Sequence, residues 1–235
     1  MSIWSRNINE LDLVAALLVA LLAMLLLFDH DFGLIYISMV VVWFVFYIKD
    51  KLFYDKKITF PVEQNYHNRI GDILLAFGIY AGFLLISSLI TNTFAPGTIQ
   101  TNSIYGIIST MSADLYQAST PILQDSVILM VLGWALIIPI IETSVTGKLF
   151  EAGYDSLTNK NTLAIVILCL IIGAGFAVLH LTSKAGNSTS LMITFIFFSI
   201  TAGLIYYKKD LWAAIWLHIF ANATAVLFPL LTRGG

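Results

Sequence analysis

A succession of apolar runs limits what this chain can fold into. Each is close to the roughly 20 residues that a helix needs to cross about 30 Å of hydrocarbon. They fall at about 11–28, 33–49, 71–94, 122–150, 162–182, 189–207 and 211–231. In lipid the backbone must satisfy its own hydrogen bonds, so each run is expected to be helical. The expected fold class is all-α: a polytopic transmembrane helical bundle of about seven spans, or eight with an interfacial or re-entrant segment. Composition agrees, since only 11% of the 235 residues are charged where a soluble domain carries about a quarter.

The chain reads as one membrane domain, 1–235, with no repeat or low-complexity linker. Residues 1–121 hold the N-terminal spans and an outer loop; residues 122–231 hold the helices with unusual polar residues. A net charge of −2 gives no basic footprint for nucleic acid, so the bilayer is the first expected partner. The single cysteine, Cys169, excludes an internal disulfide and a cysteine-based metal site. Arg6 precedes the first run, but Glu10 and Asp12 intervene and no small-residue cleavage pattern follows. That run is expected to be a retained span.

Basic residues set the expected orientation. With the N-terminus in the cytoplasm, the inner segments hold Arg6, the cluster from Lys49 to Lys57 with Arg69, Lys148 and Lys160, and Lys208 and Lys209. That is ten of the twelve, leaving Lys184 and Arg233 outside. The expected location is the cell membrane, multi-pass. The cluster "KDKLFYDKK" is read as a topology anchor at the lipid headgroups. The loop at about 95–121 lacks basic residues, and Ile104, Ile107, Ile108, Met111 and Leu115 recur in it at helical spacing. An interfacial helix or a lid over a cavity would both produce that pattern.

Ionisable groups inside a span cost several kcal/mol unless they face a cavity or a partner. Asp72 and Asp125 sit near span ends, and His30 and His67 in loops. Glu142 follows "VLGWALIIPII", with Pro139 three residues upstream. Proline removes a backbone hydrogen bond and kinks a helix, so a widened pocket is expected there. His180 ends "FAVLH", and Phe176 at i−4 shares its helix face and can press on the imidazole. Gly173 and Gly175 are placed to let another helix approach, while Cys169 continues the same stripe as a packing residue. His218 and Asn222, again four apart, can aim an imidazole N–H and an amide at one oxygen, as a developing oxyanion requires. Interhelical hydrogen bonding is the plainer reading of such residues. Together they predict a polar pocket inside the membrane, suited to hydrolysis of a buried bond or to ion transport.

The order Glu142, then FxxxH at Phe176–His180, then HxxxN at His218–Asn222, on successive helices, resembles the CAAX protease and bacteriocin-processing (CPBP or Abi) family of intramembrane proteases. The resemblance covers about residues 122–231. The family pattern EExxxR is altered in "ETSVTGK": Thr143 stands in place of the second glutamate and Gly147 in place of the arginine. Lys148 is one position late, about 100° round the helix. The two altered positions are four apart, the spacing of a helix salt bridge, so they could be lost as a unit.

The resemblance implies a metal-independent, glutamate-dependent endopeptidase without a cofactor, acting on a peptide or protein in or at the membrane. Glu142 would be general base on a water that His180 holds, and His218 and Asn222 would stabilise the oxyanion. Phe176, Thr143 and Thr146 are expected to contact substrate or support these groups. A set of two histidines and one carboxylate, Glu142 with His180 and His218, could instead hold zinc. No HExxH or GxSxG pattern is present, and "NRIGD" has Arg69 where a GxGD motif needs glycine. A non-catalytic immunity or regulatory protein and a proton-coupled transporter are the alternatives. One tension remains in this reading. Spans drawn at 122–150 and 162–182 set Glu142 and His180 about 15 Å apart in depth. They can meet only if the first helix extends or tilts, or if 151–163 dips into the membrane.

Overall fold

The computed structural model describes residues 69–94, 103–180, 188–208 and 211–232, together with Ile37 and Val41. The first two expected spans, His30, His67 and the cluster "KDKLFYDKK" lie outside these residues. The described residues are almost entirely helical and contain no strand. In chain order they form α1 (Arg69–Phe94), α2 (Ile104–Gln117), α3 (Pro121–Gln124), α4 (Val127–Met130), a π-helical stretch (Val131–Ile137), α5 (Ile138–Ser156), α6 (Thr162–Leu179), α7 (Ser188–Lys208) and α8 (Trp212–Thr232). Five segments are long and apolar enough to cross a membrane: Ile70–Phe94, Val127–Ser156, Thr162–Leu179, Ser188–Lys208 and Trp212–Pro229. The protein is an all-α, multi-pass membrane bundle.

Local sequence explains where helices start. Ser103, Ser126 and Asn161 each accept a backbone N–H three residues on, at 3.1, 3.3 and 2.9 Å, so each cap meets one of the N–H groups that a helix start leaves over. Between α2 and α3 the amide of Gln124 donates to the carbonyls of Tyr116 and Ser119, at 2.7 and 2.8 Å.

The fourth expected span, 122–150, is displaced. Its continuous helix runs from Val127 to Ser156, and only Leu157–Asn161 separates it from α6. Lys148, Glu151 and Asp155 suggest an end near 150, but they form exposed or half-buried final turns, with Lys148 and Glu151 ion-paired at 3.0 Å. Glu142 then lies fourteen residues before Ser156, and His180 eighteen after Thr162. At 1.5 Å per residue the depths differ by about 6 Å, which removes most of the mismatch.

Helix α8 packs against α1, α2, the π stretch, α5 and α7, while α6 packs on α7 and α5. The core runs through all of them, with Phe83, Trp134, Ile138, Phe176, Leu217 and Val226 almost fully buried. Outward faces remain apolar, as with Leu163, Leu170 and Ile171 of α6 and Leu74, Phe77 and Leu89 of α1. An ion pair of Lys208 and Asp72 at 2.6 Å ties the end of α7 to the start of α1.

Helices α6 and α7 touch at Gly173. A Cβ there would overlap Ser199 Oγ and come within 2.5 Å of the Phe195 carbonyl oxygen. Gly175, expected to share this role, has open space around it and faces outward. Gly173→Ala should therefore destabilise the protein by on the order of 1–3 kcal/mol, while Gly175→Ala should not. Thermal unfolding in detergent micelles compares the two variants.

Candidate active site

Three helices bring the polar side chains to one cavity. Its wall includes Glu142 from α5, His180 at the end of α6, and His218 and Asn222 from α8. All four are at least nine-tenths buried. Glu142 Oε1 lies 3.7 Å from His180 Nε2, and Glu142 Oε2 lies 3.1 Å from His218 Nε2. The first distance exceeds a direct hydrogen bond, while the second is one. The Glu142–His180 separation also falls inside the roughly 7 Å that two groups sharing one water can span.

Each imidazole is fixed through its other nitrogen. His180 is the residue that ends α6, with φ −90° and ψ 1°, in the sparsely populated bridge region of backbone conformation. That turn carries its ring back over the helix end, where Nδ1 lies 2.7 Å from the Phe176 carbonyl. A carbonyl only accepts, so Nδ1 carries a proton, and Nε2 is the nitrogen that faces Glu142. His218 Nδ1 lies 3.3 Å from Thr143 Oγ1. With Nε2–H donating to the carboxylate, Nδ1 accepts the Thr143 hydroxyl.

Phe176 acts differently from the sequence expectation. The ring beside His180 is Phe198, at 6.3 Å, and Phe176 stacks on Phe198 at 3.9 Å between centroids. Phe176 therefore supports the imidazole through its carbonyl and through a neighbour. Phe197 and Phe198 also meet His218 edge-on, at 4.8 and 5.6 Å.

Neither Thr143 nor Thr146 lines the cavity. Thr146 is fully buried, and its hydroxyl donates to the Glu142 carbonyl at 2.7 Å. Thr143 sits behind His218. At Gly147 a Cβ would lie 2.6 Å from Leu211 Cδ2, so Leu211 occupies the space beside the position where the family pattern has arginine. At the two altered positions the structure thus places a hydroxyl against His218 and a leucine against the glycine.

Several contributors are not evident from sequence. Asn222 Nδ2 donates to the Trp134 carbonyl at 2.8 Å, and the Trp134 indole N–H donates to Ser119 Oγ at 2.8 Å. The five-residue spacing of Trp134 and Pro139 is a signal that could have marked this carbonyl. The outer helix α2 adds Met111, Asp114 and Leu115 to the cavity wall, which is the lid arrangement. It is held by the Ser190 hydroxyl donating to Asp114, by Tyr116 donating to the Val226 carbonyl at 3.4 Å, and by Tyr105 against Phe228 at 4.8 Å.

For the zinc alternative, no group of three His, Cys, Asp or Glu among the described residues is placed to hold a metal ion.

No curated protein and no solved structure matches the chain. Residues 124–224 match the family described as type II CAAX prenyl endopeptidase Rce1-like, and this segment contains Glu142, His180, His218 and Asn222. That segment is similar to the Rce1-like family, in line with the resemblance of the motifs at Glu142, Phe176–His180 and His218–Asn222 to the CAAX protease and bacteriocin-processing family.

Proposed function

We propose that this protein is an intramembrane endopeptidase in which Glu142 activates a water to cleave a membrane-associated peptide. The observation that carries the reading is a buried carboxylate with one oxygen facing His180 Nε2 at 3.7 Å and the other accepting from His218 Nε2 at 3.1 Å. With His180 neutral, Glu142 Oε1 and His180 Nε2 are two acceptors facing each other, and a water donating one O–H to each relieves that opposition. Its oxygen lone pairs are then free to attack a carbonyl carbon.

In the first step the water oxygen bonds to the peptide carbon and its proton passes to Glu142 Oε1. Negative charge moves from the carboxylate to the former carbonyl oxygen. The hydrogen bond follows the charge: the His218 N–H loses its hold on a neutral Glu142 and turns to the oxyanion, beside the Asn222 amide. Collapse of the tetrahedral intermediate breaks the C–N bond, and Glu142 returns its proton to the leaving amine. No metal or cofactor is required in this scheme.

The substrates that suit a cavity walled by spans are prenylated, lipid-linked or leader-bearing peptides held at the bilayer. Glu142, His180, His218 and Asn222 touch water or substrate; Phe176, Thr143 and Thr146 position them. The same reading has the chain in the cell membrane with its N-terminus on the cytoplasmic side, supported by the ten basic residues that then fall inside. It treats 1–235 as one membrane domain, with 122–231 supplying the chemistry.

Thr143 and Gly147 favour a second reading, a non-catalytic family member that binds a peptide in the same cavity. The decisive comparison is mass spectrometry of membrane-bound and released peptides from cells expressing wild type or Glu142→Gln. Glu142→Gln and His180→Ala should each lower cleavage by at least about 10²-fold while the protein still folds in the membrane, and a chelator should leave the wild type unchanged. Identical peptide sets from wild type and Glu142→Gln would support the binding protein instead.

Thr143→Val keeps the shape of the side chain and removes the hydroxyl. We expect it to shift the His218 ring nitrogen resonances, leave those of His180 in place, and reduce kcat about tenfold, the equivalent of one hydrogen bond. Histidine-labelled ¹⁵N NMR and a cleavage assay on the same preparation read both effects.

A further inference from the structure

An asparagine amide presents an oxygen that accepts and a nitrogen that donates twice. For Asn222 to serve as a donor, something must hold the nitrogen, and in this structure that partner is a backbone carbonyl within a helix. Such carbonyls are ordinarily taken by the N–H four residues on. The carbonyl of Trp134 accepts from Asn222 Nδ2 at 2.8 Å.

The reason lies in the π stretch and the proline after it. The N–H of Ile138 donates to the Gly133 carbonyl, five residues back, so it does not follow the α-helical register to Trp134. In the same five-residue register the Trp134 carbonyl would take the N–H of residue 139. That residue is Pro139, which has none. Its ring would also crowd the carbonyl of residue 135 in an α-helical turn, and a wider turn eases that contact. One proline thus accounts for the widened turn and for the carbonyl that meets Asn222.

We propose that Pro139 is a positioning residue for Asn222: having no N–H to offer Trp134, it gives that carbonyl to the Asn222 amide and aligns the amide's second N–H as a donor to the cavity. Pro139 is buried and does not line the cavity, so it acts through the carbonyl. Its catalytic consequence rests on the peptidase reading above; the hydrogen-bond pattern does not.

Pro139→Ala supplies the missing N–H. The helix gains a hydrogen bond, so Tm should hold or rise, while kcat should fall by about 10²-fold or more, with KM unchanged. Asn222→Ala should cause a similar loss, and the double variant should lose no more than Asn222→Ala alone. The α-hydroxy acid analogue of alanine at position 139 lacks both the ring and the N–H, and should restore kcat. Retained kcat in Pro139→Ala, additive losses, or failure of the hydroxy acid to restore activity would each overturn the proposal. If the wild type cleaves nothing, the peptidase reading fails separately. Solid-state NMR in bilayers then decides: the Asn222 side-chain ¹⁵N resonance should move in Pro139→Ala and return with the hydroxy acid, and an unmoved resonance refutes the alignment.

Discussion

A carboxylate withdrawn from water must be met by donors, or the bundle loses several kcal/mol. Glu142 is 3% exposed, and the architecture answers that cost with groups from two other helices. His218 donates directly, and His180 stands across a gap of water-sharing dimensions. Each imidazole is then held at its far nitrogen, by the Phe176 carbonyl and by Thr143. The relative depth of α5, α6 and α8 follows from this need, because a one-turn slip of any of them would move a partner by about 5.4 Å.

Backbone carbonyls do much of the holding. Side-chain amides and acids are expensive to bury, whereas a carbonyl at a helix end or an irregular turn is already present. The Phe176 carbonyl, in the last turn of α6, accepts the His180 backbone N–H at 3.1 Å and meets its ring Nδ1 at 2.7 Å; the Trp134 carbonyl accepts from Asn222 at the π stretch. Both irregularities lie beside the cavity, where a bilayer protein tolerates broken helical pairing because polar partners are at hand.

Much of this was legible in the sequence. Apolar runs give helices because lipid offers the backbone no other partner, and the five described spans follow. Glu142, His180, His218 and Asn222 stand out because ionisable and amide groups are rare in such runs. What was not legible has physical causes. Lys148, Glu151 and Asp155 mimic a span end, although they decorate the last turns of a helix that continues to Ser156. Phe198 reads like any lipid-facing aromatic, since periodicity alone does not say which neighbour a ring will stack on. Thr143 reads as a missing acid, and its contact with His218 depends on the tertiary approach of α5 and α8. Trp134 takes part through a backbone atom, which no side-chain motif reports.

The crossing at Gly173 has a consequence for how the cavity behaves over time. With α6 seated against Ser199 and the Phe195 carbonyl, the two rods are locked like meshed teeth, and Phe198, one position before Ser199, lies beside the His180 ring. The apparatus is therefore set before any visitor arrives. On the proposed peptidase reading, a substrate would spend little of its binding free energy on gathering scattered parts, leaving that energy for its own bending and drying.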